Sequence, residues 1–192
     1  MKRIGRGVYS LGKGTCFLPT LDKKQKNIFS QIKKKFPLIT LCCWHTSVLK
    51  EFFQHISAYD FLLVEVEREA IDSVFYFVKE INKDKYTFKE PLHEMMEMFV
   101  LDSKGTIMVK SLTSEAPLQN IDHVKVPTIE KILVDLCADS DIFSFLQGSE
   151  MINIFENALE KYTVNMDRLL RYAKRRNKKE ELNKILNQIS GK

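Results

Sequence analysis

Two short apolar runs, each followed by a segment of helical period, constrain the fold of this chain more than any other feature. LITLCC precedes HTSVLKEFFQHI, and YDFLLVEVE precedes REAIDSVFYFVKEI. The periodicity also predicts a helix over LDKKQKNIFSQIKKKF, which Pro37 ends. Strands that alternate with helices are typical of an α/β fold. We therefore expect a mixed sheet with flanking helices and at least one parallel strand pair, joined by a right-handed crossover.

The segment between residues 83 and 126 is predicted to hold loops and short strands. KDKYTFKEPLHE and TSEAPLQNIDH are polar and predict loops, and VKVP predicts a short strand. EMMEMFVLDSKGTIMVKSL predicts two strands around a turn at residues 102–105, where Gly105 supplies a positive φ.

The pattern is wholly helical from residue 127 onward. Four helices are predicted, within PTIEKILVDLCAD, SEMINIFENALEKY, NMDRLLRYAKRR and KKEELNKILNQI. The first of them carries apolar residues at i, i+3, i+4, i+7 and i+8 from Ile129. The chain is thus predicted to divide into an amino-terminal hairpin and linker (1–20), an α/β core (21–126) and an all-helical carboxy-terminal cap (127–192).

The amino-terminal segment RIGRGVYSL predicts a β-hairpin with glycine-rich turns. A two-stranded hairpin is marginally stable without a third element that covers its apolar face. We therefore expect residues 1–14 either to be weakly held or to pack on the α/β core near residues 15–20.

Positive charge is concentrated at the two ends of the chain. Residues 1–35 carry a net charge of +9, residues 36–167 of −11, and residues 168–192 of +7. Such segments are either solvated faces or binding surfaces for polyanions. The candidate surface for an acidic partner or a nucleic-acid backbone comprises seven carboxy-terminal cations: Arg168, Arg171, Lys174, Arg175, Arg176, Lys178 and Lys179.

Motifs of catalysis, cofactor binding and metal binding are missing from the sequence. It has no Walker A, GxGxxG, HExxH or GxSxG motif, and its four histidines lack ligand spacing. Its four cysteines form no CxxC pair, and Cys42, Cys43 and Cys137 lie in apolar segments, as buried free thiols of a reducing compartment do. We expect no cofactor and no metal ion.

Three carboxylates leave an enzymatic alternative open. Asp60, Glu65 and Glu67 lie on or beside the LLVEVE strand, and acids at strand ends build metal sites in many nucleases. A restriction-endonuclease-type site would also need a Lys two residues after its acid, and that Lys is missing here. Simple strand alternation instead predicts that Glu65 and Glu67 face outward. The alternative is a metal-dependent nuclease or a nucleotidyltransferase-like enzyme.

Hydropathy favours a cytoplasmic protein. The sequence has no apolar run near the roughly 18 to 20 residues that span a bilayer. Its basic amino terminus is not followed by the apolar region of a secretory signal.

Several segments together resemble one known family. The best single marker is the helix start PTIEKILVDL, which is similar to a T-P-E-K-T-L-x-D-L pattern, and RLLRYAKR adds to it. The chain resembles the AbiEi-type antitoxins and transcriptional regulators of type IV toxin–antitoxin systems, in a Bacteroidetes-type branch. The resemblance covers nearly the whole chain, in the segments RIGRGVYSLGKG, PLITLCCWHTSVLKEFFQH, LLVEVEREAIDSVFYFVKE, APLQNIDHVKVPTIEKILVDL and RLLRYAKRRNKKEEL.

The resemblance implies a regulatory role in abortive infection. It implies a winged helix-turn-helix that binds operator DNA and an α/β antitoxin domain that restrains a nucleotidyltransferase-like toxin. RIGRGVYSL would be the wing hairpin, and Lys2, Arg3 and Arg6 would contact the DNA backbone. The helix-turn-helix itself is absent from this sequence. We therefore expect a non-catalytic, protein-binding antitoxin module, with DNA-binding autoregulation as the alternative.

Overall fold

The computed structural model describes residues 2–5, 8–11, 14–52, 60–99 and 105–191. Its strands are β1 (Lys2–Gly5), β2 (Val8–Leu11), β3 (Leu41–His45), β4 (Leu62–Val66), β5 (Thr87–Lys89), β6 (Ile107–Ser111), β7 (Leu118–Ile121), β8 (Val124–Pro127) and β9 (Val164–Asn165). Its α-helices are α1 (Lys23–Lys35), α2 (Ile71–Ile81), α3 (His93–Phe99), α4 (Ile129–Ala138), α5 (Ser149–Lys161), α6 (Met166–Arg175) and α7 (Lys179–Ser190).

The central sheet is mixed, in the order β3-β4-β6-β5. β3 runs antiparallel to β4, whereas β4 and β5 both run parallel to β6. This confirms the mixed α/β fold and the parallel pairing predicted from sequence. Asp22 begins α1 as its N-cap, because its carboxylate accepts a hydrogen bond from the Gln25 backbone N–H at 2.6 Å.

The two faces of the sheet are buried under different helices. Side chains alternate along each strand, so Val64 of β4 faces α1 and α2, whereas Leu63 faces the carboxy-terminal helices. α4 lies against this second face, and all of its residues from Ile129 to Cys137 are buried. One hydrophobic core therefore contains residues from both the predicted α/β core and the predicted helical cap.

The middle of the chain departs from the sequence prediction in three elements. EMMEMF is helical in α3 rather than a strand, since Met and Glu favour helices and lack the β-branching that favours strands. The predicted loop KDKYTFKEPLHE contains the short edge strand β5. β7 lies in a predicted loop and pairs with β8. Its two-residue turn has positive φ at Asp122 (46°) and His123 (66°), without the Asn-Gly or Asp-Gly pair that marks such turns.

Two predicted features fall partly outside the described residues. Within the predicted helix HTSVLKEFFQHI, Thr46–Glu51 form a 3₁₀ helix, and residues 53–59 lie outside the described part. Residues 102–104 of the predicted turn also lie outside it, while Gly105 has the expected positive φ of 88°.

The amino-terminal hairpin pairs with the carboxy-terminal half of the chain. β2 runs antiparallel to β9, with Ser10 opposite Asn165 and Leu11 opposite Val164. The Thr163 N–H extends this pairing by donating to the Thr15 carbonyl at 2.8 Å. The hairpin is thus part of a three-stranded sheet whose last strand, β9, ends directly before α6.

All four helices predicted after residue 127 are present as α4 to α7.

Cys42, Cys43 and Cys137 are buried free thiols, as predicted, and burial raises the pKa of each. Cys16 is exposed. None of the helices in the described ranges combines the length and apolar composition needed to cross a bilayer.

Candidate functional site

Helix α6 separates buried apolar residues from exposed cations. Met166, Leu169, Tyr172 and Ala173 face the core. The helix begins at Asn165, whose side chain accepts a hydrogen bond from the Arg168 N–H at 3.0 Å. The exposed residues Arg168, Arg171, Lys174 and Arg175 form what we call the basic face.

A concave site lies on this face. Its cavity measures about 260 Å³, and three of its lining residues are arginines. We call it the arginine groove, and it is lined by Arg168, Arg171, Arg175, Tyr172, Glu115 and Pro117. The arginines follow one another at i, i+3 and i+7, so they lie on one stripe of the helix.

The arginines of the groove differ in how they are held. Nη1 of Arg168 lies 3.7 Å from Oε2 of Glu130. Nη2 of Arg175 lies 3.4 Å from the Glu115 carboxylate. Arg171 has no ion pair with any residue that the structure describes, so its charge is the most available for a ligand.

The other predicted cations are divided between the surface and the interior. Lys174 and Lys179 are exposed, and Lys178 pairs with Glu181 at 2.6 Å. Arg176 instead turns inward, where it donates to Asp139 at 2.6 Å and to the Thr113 hydroxyl at 2.7 Å. Arg176 is therefore part of the scaffold and not of the binding surface on which the sequence placed it.

The amino-terminal hairpin lies beside the basic face. β1, which contains Lys2 and Arg3, is two strands away from Asn165, a distance of roughly 10 Å between backbones. Arg6 lies outside the described residues. The hairpin part of the basic amino-terminal segment therefore lies beside the start of α6, whereas the lysines of α1 lie under the other face of the sheet.

Glu130 holds the start of this region in place. It projects from the first turn of α4 and is buried. Its Oε1 accepts a hydrogen bond from the Asn165 backbone N–H at 2.9 Å, while its Oε2 faces Arg168. The same carboxylate thus contacts β9, where the hairpin pairs, and α6, where the basic face begins.

A second group of charges is buried between the sheet and α4. Nζ of Lys131 lies 2.5 Å from Oε2 of Glu65 and 2.5 Å from Oδ2 of Asp135. Burial alone would lower the pKa of Lys131, but the two carboxylates outweigh it and raise that pKa well above its usual value. Burial would raise the pKa of Asp135, but Lys131, Lys110 and Arg176 together hold it below its usual range.

The buried charges continue to the carboxy-terminal end of α6. Asp135 accepts a hydrogen bond from the Tyr172 hydroxyl at 2.9 Å, and Lys110 pairs with Asp139. Three acids are matched by three bases, in what we call the ionic network: Glu65, Asp135, Asp139, Lys110, Lys131 and Arg176. These residues join β4, β6, α4 and α6.

The carboxylates of the enzymatic alternative do not meet. Glu65, predicted to face outward, is only 1% exposed and points toward α4, because Lys131 compensates its charge there. Asp60 precedes β4 and pairs with His45 at 2.9 Å, whereas Glu67 follows β4 and accepts the Thr40 N–H at 2.8 Å. Within the described ranges, no cluster of three or more His, Cys, Asp or Glu side chains is placed to hold a metal ion.

Comparison with known proteins assigns the family. The family of unknown function DUF6577 matches the chain over residues 1–192. The chain belongs to this family. No curated protein and no solved structure matches it. The family description names no activity, so the resemblance to AbiEi-type antitoxins stays a prediction.

The charged residues of PTIEKILVDL form buried ion pairs, a role that the sequence pattern did not predict. Glu130, Lys131 and Asp135 lie in a helix that is otherwise apolar on all sides. Such a helix is buried, so its charges have to be compensated by partners in the interior. Three charges within an apolar helix could have indicated buried ion pairs. The sequence could not identify all the partners, because Glu65 and Arg168 are remote from this helix in the chain.

Proposed function

We propose that this chain is a non-catalytic regulatory module that binds the phosphate backbone of nucleic acid through the basic face. The observation that carries the proposal is the row of exposed cations on α6, a helix that begins directly after the strand paired with the basic amino-terminal hairpin. A surface of clustered Arg and Lys attracts polyanions, and phosphate contacts supply most of non-specific nucleic-acid affinity.

The proposal places binding on the surface and structural support in the interior. Asp60, Glu65 and Glu67 are far apart or neutralised, which favours a binding role over the nuclease alternative. The biological setting that the sequence resemblance implies, an antitoxin-like regulator of a nucleotidyltransferase-like toxin in the cytoplasm, is part of the same proposal. In that setting the basic face would contact nucleic acid.

The experiment measures binding of a fluorescently labelled oligonucleotide by anisotropy at several salt concentrations. We expect log K to fall linearly with log salt concentration. Reversing two charges in R171E/K174E should reduce the magnitude of this slope by about 2, because two phosphate contacts are lost. The matched control is K34E/K35E, which has the same net charge but lies on α1, under the opposite face of the sheet.

Two results would contradict the proposal. Equal loss of binding in both double variants would show that net charge alone matters. Binding of polyglutamate as tight as that of the oligonucleotide at the same salt concentration would indicate that the basic face recognises an acidic protein surface instead.

A further inference from the structure

The arginine groove has a shape that a simple backbone-binding surface does not need. Its floor is the stripe Arg168, Arg171 and Arg175, whose Cα atoms rise by roughly 4.5 and 6 Å along α6. One wall is formed by the loop that carries Glu115 and Pro117. The cavity of about 260 Å³ is concave, so it can surround a small anionic group instead of only touching one side of it.

Beside the wall of the groove, Ser114 and Glu115 contact the Arg175 guanidinium. The Ser114 hydroxyl accepts hydrogen bonds from Nε of Arg175 at 3.0 Å and from Nη2 at 2.6 Å, which fixes the guanidinium plane. Glu115, at a left-handed φ of 60°, holds an exposed carboxylate next to the same guanidinium. A continuous phosphodiester chain crossing this wall would pass the carboxylate, whereas a strand end would stop before it.

We propose that the arginine groove binds the phosphomonoester at the end of a nucleic-acid strand, with Arg171 as its main contact. This inference rests on the proposed function and names the group that the groove selects. A terminal phosphate carries about −1.5 to −2 charge against −1 for a phosphodiester, and arginine binds it through two parallel hydrogen bonds. Arg168 and Arg175 are held in place by Glu130 and Glu115, and Arg171 is free of such a partner in the described part of the chain.

The test compares the affinities of three single-stranded oligonucleotides at one salt concentration. The first ends in a 5′-phosphate, the second in a 3′-phosphate, and the third has hydroxyl ends but is one nucleotide longer, which keeps the total charge similar. We expect at least one phosphorylated oligonucleotide to bind about tenfold more tightly than the hydroxyl-ended one. The phosphorylated oligonucleotide that binds more tightly shows whether the groove selects the 5′ or the 3′ end of the strand.

Two single variants of α6 locate the effect. R171A should abolish the preference for the terminal phosphate, because it removes the main contact in the groove. K174A removes the same charge from the basic face but does not line the groove. It should weaken binding of all three oligonucleotides by a similar factor and keep the preference.

The outcomes separate this inference from the proposed function. If all three oligonucleotides bind equally, or if the preference survives in R171A, the terminal-phosphate site is wrong while backbone binding stands. If none of them binds at low salt, the proposed function fails and the inference fails with it.

Discussion

Arg175 and Arg176 are neighbours in sequence and belong to opposite regions of the molecule. The Arg175 side chain is 46% exposed and lines the arginine groove, whereas that of Arg176 is 16% exposed and binds Asp139 in the ionic network. Both regions are rich in charge. The basic face keeps charge in water, where a ligand can reach it, and the ionic network has each of its charges compensated by a neighbour. Burial therefore separates a binding role from a structural one.

The largest effect is expected from breaking the ionic network at its centre. K131M removes the cation between Glu65 and Asp135 and leaves these buried carboxylates with only more distant cations, Lys110 at 3.9 Å and Arg176 at 3.7 Å. The free energy of unfolding, measured by urea denaturation, should fall by about 3–5 kcal/mol. The matched control K34M, at an exposed position of α1, should change it by less than about 0.5 kcal/mol. A loss below about 1 kcal/mol in K131M would show that the network does not support the fold.

The adjacent arginines test the comparison directly. R176A leaves Asp139 without its guanidinium and Thr113 without its donor, so it should cost about 2–3 kcal/mol of stability. R175A breaks contacts with exposed residues and should cost less than about 1 kcal/mol. Under conditions where both variants are folded, R175A should lose more nucleic-acid affinity than R176A. Similar stability losses in the two variants would contradict the division into two regions.

The acid side of the pH profile should report on Asp135. Its pKa is held below the usual range, so the stability it contributes is present above its unfolded pKa of about 3.9 and is lost as pH falls through the folded value. D135N should therefore be less stable than the wild type at neutral pH, and the difference should shrink as the pH falls below the unfolded pKa of about 3.9. Urea denaturation at a series of pH values measures this difference. A difference that stays constant with pH would contradict the assignment.

The smallest effect on stability is expected on the basic face. R171A removes an exposed cation that has no ion pair with a described residue, so the free energy of unfolding should change by no more than about 0.5 kcal/mol. Its oligonucleotide affinity should nevertheless fall. Thermal denaturation and anisotropy on the same sample test both statements. A clear destabilisation in R171A would show that Arg171 supports the fold, contrary to its assignment to the binding surface.

Local periodicity was sufficient for much of the fold. The helical stripes predicted α1, α2 and the four carboxy-terminal helices, and the apolar runs predicted β3 and β4. Each of these signals lies within one segment, since an element with one buried face shows that face in its own period. The sequence failed where composition was ambiguous, as in α3, or where a turn used unusual residues, as at Asp122 and His123.

The sequence showed the basic ends and the PTIEKILVDL helix. Only the tertiary structure showed that acidic residues of this helix contact the carboxy-terminal cations. Charge counts identified the cations of α6 without separating Arg175 from Arg176. The partners of the buried charges are distant in the chain: Asn165 lies 35 residues from Glu130, and Arg176 lies 37 residues from Asp139. A charge is exposed or buried according to what packs over it, and the packing of β2 on β9 and of α6 on α4 involves residues that no local pattern connects.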